Sequence, residues 1–274
     1  METGVKRVFL LDFGRVSGEM GWFIPDPDTW GERNKPKLTK WVEVPISGAV
    51  IEHEEGFVLL DTGELPRAER TGDTTWEMFG EVFPLTRFGD ENRLENQLKL
   101  LGLTPEDMSY VVFTHLHPDH AGQAHVFKDL PTPLVAHKRE LMWAAYMMYL
   151  GKSGDYQPVD LEPLRGAQWF PIDNETFELL PGVELMLVGA HTPGSIVVRV
   201  ATKSGSNYIF TGDFIHLPEE LEKESKGWLL RDLEEYLTGL RKIKLMMRRP
   251  NTRLVICHDP GLWEKYPKAP KALE

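Results

Sequence analysis

The chain has 274 residues, of which 41% are hydrophobic, and can bury the core of one α/β domain spanning 1–274. Its formal net charge of -11 argues against a basic nucleic-acid-binding surface. Cys257 is the single cysteine, which predicts no disulfide framework and a reducing, cytoplasmic compartment. The apolar run at 8–11 is too short for a signal peptide, and no run approaches the ~20 residues of a membrane span.

The first half of the chain predicts strands interrupted by two irregular segments. Residues 5–13 read as the first strand, and a hairpin follows with strands at 42–50 and 56–61. Residues 14–40 are rich in Gly, Pro and Trp and predict an N-terminal excursion that is too aromatic to be a disordered linker. Residues 67–90 have no clear period and predict a loop over the functional site.

A dense group of metal-ligand residue types lies in the stretch 111–122, VVFTHLHPDHAG. A short buried strand leads to His115 and His117, which share one side if the strand continues that far. Pro118 ends the strand, and Asp119 and His120 follow at the turn. Burying four ionisable groups together without a cation is very costly, so the motif predicts binding of a borderline divalent metal such as zinc.

An apolar, Met-rich helix is predicted soon after this motif, at 140–150, ELMWAAYMMYL. A stripe of this kind is more often part of the core than of a binding site. Its place after the metal motif nevertheless makes Trp143, Tyr146 and Met147 candidates for the wall of a substrate pocket.

The second half predicts further strands, at 169–170, 177–180, 183–188, 196–201, 208–211 and 254–257. A long helix is predicted at 229–247, with Leu230, Leu233, Leu237 and Leu240 on its apolar face. Residues 267–274 predict a short frayed tail.

Three further candidate ligands stand just past apolar, strand-like runs. His191 follows the run 183–188, Asp213 lies in YIFTGDF and His258 in LVICHDP. Ligands converge at the carboxyl ends of sheet strands in α/β folds. An Asp after Gly is usually a turn residue, but the repetition of this context favours one shared site.

The order HLHPDH, then His191, then Asp213 in TGD, then His258 resembles the dinuclear metallo-β-lactamase superfamily. The resemblance runs from Val8 to about Tyr266. The N-terminal half is most similar to the N-acyl-homoserine lactonases, on the stretches LLDFGRVSGEMGWFIPDPDTW, VPISGAVIEHEEGFVLLDTG and RLENQLKLLGLTPEDMSYVVFTHLHPDHAG. The fold implied is a four-layer αβ/βα sandwich.

The resemblance also implies a substrate pocket, a homodimer and a support for the metal site. The segment 14–40 is similar to one that contacts the acyl chain and the dimer partner, which makes Met20 and Trp22 pocket candidates. The segment 67–90 is similar to an insertion that shapes the pocket, to which Phe83 would contribute. Asp61 is either a turn residue or an outer support of the metal ligands.

Ligand counting distributes the seven residues over two divalent ions. One ion would be held by three imidazoles, those of His115, His117 and His191. The other would be held by Asp119, His120 and His258. The carboxylate of Asp213 would bridge the two ions. Zinc is the expected metal, while iron, cobalt and manganese also suit these ligands. Two such ions ~3.5 Å apart would supply a bridging hydroxide that attacks a lactone carbonyl. Asp119 or Asp213 would carry the proton to the leaving oxygen.

One residue departs from the lactonase pattern. Lactonases of this group commonly have a Tyr three residues beyond the bridging Asp, which hydrogen-bonds the substrate carbonyl, whereas this chain has His216. An imidazole can also donate a hydrogen bond or act as an acid, so His216 is a candidate catalytic residue. The alternative is a solvent-facing loop residue.

Three functional hypotheses follow. The first is hydrolysis of N-acyl-homoserine lactones, that is, quorum quenching. The second is hydrolysis of another small lactone, an ester or a phosphotriester, favoured by His216 and by the altered residues 188–190 before His191. The third is a binding or redox module with a structural metal site. Redox di-iron relatives usually have Glu in place of His117, which disfavours the third.

Overall fold

Two β-sheets dominate the computed structural model, which describes residues 3–25, 40–66, 69, 80–151 and 155–273. The strands are β1 Val5–Glu19, β2 Trp41–His53, β3 Gly56–Leu60, β4 Leu85–Arg87, β5 Met108–Val112, β6 Leu134–His137, β7 Trp169–Ile172, β8 Thr176–Leu180, β9 Val183–Leu187, β10 Ile196–Ala201, β11 Asn207–Phe210 and β12 Thr252–Val255. Among the described residues, seven strands form one sheet in the order β4-β1-β2-β3-β5-β6-β7, and five form the other in the order β12-β11-β10-β9-β8.

Short helices connect these strands. The α-helices are α1 Met20–Phe23, α2 Leu94–Lys99, α3 Pro118–Ala121, α4 Lys138–Tyr149, α5 Pro158–Leu161, α6 Pro218–Lys223, α7 Leu233–Met246 and α8 Pro260–Lys265. Single 3-10 turns lie at Asp90–Asn92, Pro105–Asp107, Ala124–Phe127, Glu162–Leu164 and Gly212–Phe214. No helix in the described ranges is both long and apolar enough to cross a bilayer.

Three layers of buried side chains confirm the predicted four-layer sandwich. The middle layer joins the sheets, because Val8 of β1 shares an apolar cluster with Leu185 of β9 and Val198 of β10. A second cluster packs helices, through residues such as Leu94, onto the outer face of the larger sheet, and a third packs α7, through Leu240, onto the smaller sheet. Each fully buried aliphatic side chain of this kind contributes about 1.5–3 kcal/mol.

The first strand is longer than predicted, so the excursion assigned to residues 14–40 begins too early. The strand β1 continues to Glu19 because Gly14 adopts φ +104°, and the pairing with β2 shifts register between Asp12 and Arg15. A side chain at Gly14 would also collide with the backbone, since its Cβ would lie 2.3 Å from the carbonyl oxygen of Arg87. Residues 26–39 of the excursion lie outside the described ranges.

The predicted loop at 67–90 is wrong over its last part. Residues Leu85–Arg87 form β4, which pairs antiparallel with β1 at the edge of the larger sheet. Residues 67, 68 and 70–79 lie outside the described ranges. The three-residue strand is too short to show a period in sequence.

The C-terminal region also differs from prediction. The helix expected at 229–247 spans 233–246 and is capped by Asp232, whose Oδ1 accepts a hydrogen bond of 2.9 Å from the amide of Glu235. Its buried face includes Tyr236, while Leu233 is 56% exposed. The tail at 267–273 is not frayed, because the amides of Ala269 and Leu273 donate to the carbonyls of Leu10 and Val8, each at 2.8 Å.

Candidate metal centre

The HLHPDH segment folds back on itself at the end of β5. The strand ends at Val112, earlier than the alternation of His115 and His117 suggested, yet the two rings lie 4.5 Å apart between centroids. The helix α3 then begins at Pro118, a residue well suited to a first helical turn. This turn brings His120 back so that its ring centroid lies 4.1 Å from that of His115.

Ligands from both sheets converge on the carboxylate of Asp213, which follows β11. Its Oδ2 lies 3.7 Å from His115 Nε2 and 3.4 Å from His191 Nε2. Its Oδ1 lies 3.0 Å from the Nε2 atoms of both His120 and His258. The two oxygens therefore face two separate groups of imidazoles, which is the geometry that a bridging carboxylate requires.

The remaining predicted ligands complete these two groups. His117 Nδ1 lies 3.0 Å from His191 Nε2, and Asp119 Oδ2 lies 3.3 Å from His258 Nε2. In the first group, the donor atoms of His115, His117, His191 and Asp213 lie within 4.8 Å of one another. In the second, His120, Asp213, Cys257 and His258 satisfy the same limit, a set that includes Cys257 and not the predicted ligand Asp119.

Divalent ions fit this arrangement. Among the described residues, the buried Nε2 atoms of His115 and His120 make no hydrogen bond of acceptable geometry. A buried nitrogen without a partner is costly, and metal coordination would satisfy both atoms. Nitrogen and carboxylate oxygen donors suit zinc and neighbouring transition metals.

Hydrogen-bond acceptors outside the two ligand groups orient three of the imidazoles. His120 Nδ1 lies 2.8 Å from Asp61 Oδ2, His191 Nδ1 lies 3.0 Å from the Leu229 carbonyl, and His258 Nδ1 lies 2.7 Å from the Pro45 carbonyl. Each of these acceptors holds the proton on Nδ1 and leaves the lone pair of Nε2 facing the centre.

Asp61 has the features of both predicted alternatives, a turn residue and an outer support of the candidate ligands. Its backbone adopts φ 55° at the end of β3, as a turn residue does. Its Oδ1 accepts a hydrogen bond of 2.8 Å from the amide of Thr114 while its Oδ2 faces His120. The carboxylate therefore ties the start of the ligand segment to one of its imidazoles.

Burial and neighbouring charges favour the deprotonated form of four of the candidate ligands. Burial lowers the pKa of His115 and His191, which favours the neutral, ligating imidazole. Burial opposes ionisation of Asp119 and Asp213, but adjacent imidazoles outweigh it and hold the pKa of both carboxyls well below their usual range. Both acids are therefore carboxylates at neutral pH.

A buried glutamate missed by sequence reasoning, Glu140, joins two ligand loops. Its Oε1 accepts hydrogen bonds from the amide of Leu116 at 3.0 Å and the hydroxyl of Tyr156 at 2.9 Å. Its Oε2 accepts from the hydroxyl of Thr192 at 2.6 Å and the amide of Gly194 at 3.2 Å. No sequence signal separates this glutamate from the exposed ones on other helices.

His216 lies at the centre and is not a solvent-facing residue, since only 1% of it is exposed. Its Nε2 lies 3.1 Å from Asp213 Oδ2, and its ring stacks on that of His258 with centroids 5.6 Å apart. Cys257, also overlooked as a site residue, places Sγ 3.5 Å from Asp213 Oδ1. Its position next to His258 in sequence was the available signal.

A pocket opens beside the centre. Its lining includes His216, Asp119 and Asp213 together with the apolar side chains of Phe83 and Leu229. Phe83, which the resemblance to lactonases made a pocket candidate, thus lines a pocket beside the candidate ligands.

A second pocket borders the first and shares His117 and His191 with it. Three predicted residues line this pocket: Trp22, Trp143 and Met147. Two others do not line either pocket: Met20, the first residue of α1, is buried in the core, and Tyr146 is 52% exposed on α4 beside Trp143. The expectation that the Met-rich helix is mainly core is wrong, because only Glu140 and Ala144 of it are buried.

Known proteins resemble this chain in sequence and in fold. The model of the metallo-beta-lactamase superfamily matches residues 41–258. An N-acyl homoserine lactonase of a Bacillus species is 28% identical over 220 residues, 80% of this chain and 82% of that protein. The N-acyl homoserine lactonase AiiB of Agrobacterium fabrum is 28% identical over 215 residues, 76% of each chain. A structure of N-acyl homoserine lactone hydrolase with the product N-hexanoyl-L-homoserine at its catalytic metal center has a TM-score of 0.80 at 22% identity, covering 98% of this chain and 99% of that one. Because the family match spans most of the sequence and the fold agrees with it, the chain belongs to the metallo-beta-lactamase superfamily of hydrolases.

Proposed function

We propose that this protein is a dinuclear metal-dependent hydrolase that opens the lactone ring of N-acyl-homoserine lactones. The observation that carries the proposal is the carboxylate of Asp213 between two groups of imidazoles, at the base of a partly apolar pocket. The relatives that bear the lactonase name support the substrate class.

His115, His117 and His191 would hold one ion, and Asp119, His120 and His258 the other, with Asp213 between them. When bound, two such ions, zinc being the expected metal, supply an activated water and polarise the carbonyl. The protein itself orients the ligands and favours the neutral form of two of the imidazoles, since burial lowers the pKa of His115 and His191 and the Leu229 carbonyl fixes the direction of the His191 ring.

Ring opening adds water to the carbonyl carbon, breaks the bond from that carbon to the ring oxygen, and gives the ring oxygen a proton. Asp119 and Asp213 both line the pocket, and either carboxylate can carry this proton. His216 lines the same pocket and would donate a hydrogen bond from Nε2 to the carbonyl oxygen, in the place of the tyrosine hydroxyl of similar lactonases.

The two adjoining pockets suit an amphiphilic substrate. The lactone ring would occupy the pocket that holds Phe83 and His216, and the acyl chain would extend along Trp22, Trp143 and Met147. The shared position of His117 and His191 joins the two compartments.

The test is proton release from short- and long-chain N-acyl-homoserine lactones by metal-loaded, chelated and reloaded protein. We expect turnover that chelation abolishes and reloading restores. His216→Ala should reduce kcat by about 10²-fold, while the exposed His125→Ala should not. No turnover by fully loaded protein would refute the lactonase assignment.

A second candidate is hydrolysis of a phosphotriester or another ester at the same centre, favoured by the presence of His216 where similar lactonases have Tyr. A phosphotriester and a simple aryl ester, assayed beside the lactones, separate the two. A higher kcat/KM for either than for every lactone would favour this candidate.

A further inference from the structure

A buried ammonium group lies directly behind His216. The side chain of Lys226 is fully buried, and its Nζ lies 2.8 Å from His216 Nδ1. The same Nζ lies 2.5 Å from the carbonyl oxygen of Asp213, and 3.2 Å from both the carbonyl oxygen of Phe214 and Glu220 Oε2. Its three protons therefore serve four acceptors, of which the Asp213 carbonyl and His216 Nδ1 are the nearest. No catalytic step proposed above uses Lys226 or Glu220.

These contacts determine which nitrogen of His216 carries the proton. A lysine ammonium has donors and no acceptor, so Nδ1 must accept the hydrogen bond from Lys226 with its lone pair. Glu220 Oε1 lies 3.1 Å from Nδ1, but it also accepts from the amide of His216 at 3.2 Å. If Nδ1 instead donated to Glu220, its proton would face the ammonium at 2.8 Å. The neutral ring therefore carries its proton on Nε2.

This arrangement is the reverse of that at the candidate ligands. His120, His191 and His258 each face an acceptor with Nδ1, which leaves Nε2 free to bind metal. His216 faces a donor with Nδ1, so its Nε2–H points to Asp213 and the pocket. A protonated Nε2 cannot coordinate an ion but can donate a hydrogen bond.

We infer that Lys226, held in place by Glu220, is a positioning residue that fixes the Nε2–H tautomer of His216 and so makes this imidazole a hydrogen-bond donor to substrate. The donor role rests on the proposed function, whereas the tautomer does not. The charged pair is fully buried, with both side chains unexposed, so solvent does not compete for these contacts.

The direct test is nitrogen NMR of zinc-loaded protein labelled with ¹⁵N-histidine, with the His216 signals assigned by their loss in His216→Gln. We expect a protonated Nε2 and an unprotonated Nδ1. In Lys226→Met the proton should move to Nδ1, where Glu220 becomes the remaining partner. An Nδ1–H tautomer in the wild-type protein, or an unchanged tautomer in Lys226→Met, would overturn the inference.

Kinetics give a second readout. Lys226→Met should reduce kcat for the lactone by about 10²-fold with a smaller change in KM, since one donor to the carbonyl is lost. In a His216→Tyr background, Lys226→Met should change kcat by no more than about twofold, because a tyrosine hydroxyl donates its hydrogen bond without any choice of tautomer. An equal loss of kcat in both backgrounds would indicate a merely structural lysine and contradict the inference.

Two further variants keep the test decisive. If Lys226→Met does not fold, Lys226→Met/Glu220→Gln removes both buried charges together, which proteins tolerate better, and should still abolish the uniform Nε2–H signal. The exposed Lys128→Met is the control and should change neither spectrum nor kcat. Absence of lactone turnover with the Nε2–H tautomer intact would refute the proposed substrate and support the tautomer.

Discussion

Replacing Glu140 by Gln should loosen both ligand loops that this side chain joins. Its carboxylate accepts four hydrogen bonds, two on each oxygen, and is fully buried. Whichever way the Gln amide is turned, its NH₂ group faces a backbone amide, of Leu116 or of Gly194, that cannot become an acceptor. Hydrogen bonds to a charged group contribute about 1.5–3 kcal/mol, and an unsatisfied buried N–H costs about 1–3 kcal/mol. The hydroxyls of Tyr156 and Thr192 can reorient, so we expect a net loss of about 2–5 kcal/mol.

The assay is denaturant unfolding of the metal-free protein, followed by metal affinity from competition with a chelator. Because Glu140 holds the segments that carry His117 and His191, affinity should fall by about 10–100-fold. The exposed Glu95→Gln is the matched control and should change stability by less than about 0.5 kcal/mol. If Glu140→Gln behaved like this control in both measurements, the proposed clamp between the loops would be refuted.

Three other perturbations test separate parts of the structure. Asp61→Asn should weaken metal binding by about 10–100-fold, since it removes the charged acceptor that orients His120. Chelator competition would measure the metal affinity, and an unchanged affinity would contradict the role of Asp61 in orienting His120. Gly239→Ala should destabilise the fold by about 1–3 kcal/mol despite its better helix propensity, because the new Cβ would lie 2.4 Å from Phe214 Cζ; a raised melting temperature would show that the contact yields. Metal affinity should also fall as pH falls. Burial opposes protonation of His120, but the charge of Asp119 outweighs it and raises the pKa of the imidazole. Below this raised pKa a metal ion must displace a proton from His120 in order to bind, and above it there is no proton to displace. A metal affinity that stays constant in chelator titrations at pH values above and below the raised pKa of His120 would contradict the assignment of His120 as a ligand.

The candidate metal centre was predictable because its residues carry a strong local signal. Four candidate ligand residues, three His and one Asp, fall within the six positions from His115 to His120, and the structure brings all of them to one place. The three distant ligands were found from a single rule, that functional residues follow the carboxyl ends of strands. Asp213, the least specific of them by sequence, proves to be the residue around which the others are arranged.

Two failures of prediction arise where long-range pairing overrides the local pattern, and a third arises from a helix cap. Gly14 looked like the end of a strand, but the pairing with β2 carries the chain through a bulge. The C-terminal tail has no strand pattern, yet its amides find acceptors on Leu10 and Val8. Leu233 has the correct spacing for the buried face of its helix, but Asp232 begins the helix later than the leucine pattern suggests. The strand that pairs with β1 and the acceptors of the tail are distant in sequence, whereas Asp232 is adjacent to Leu233 and acts as a local helix cap.

The candidate site shows most clearly what a motif cannot specify. Sequence supplies imidazoles, but whether an imidazole binds metal or donates a hydrogen bond depends on which nitrogen carries the proton. That choice is made by groups far from the motif: the carbonyl of Pro45 for His258 and the ammonium of Lys226 for His216. These two rings stack on one another at the same carboxylate, so neither their type nor their place distinguishes them. Only the partner behind each ring distinguishes them: an acceptor behind His258 leaves Nε2 free for a metal, and a donor behind His216 leaves Nε2–H free to donate to a substrate, as the proposed function requires.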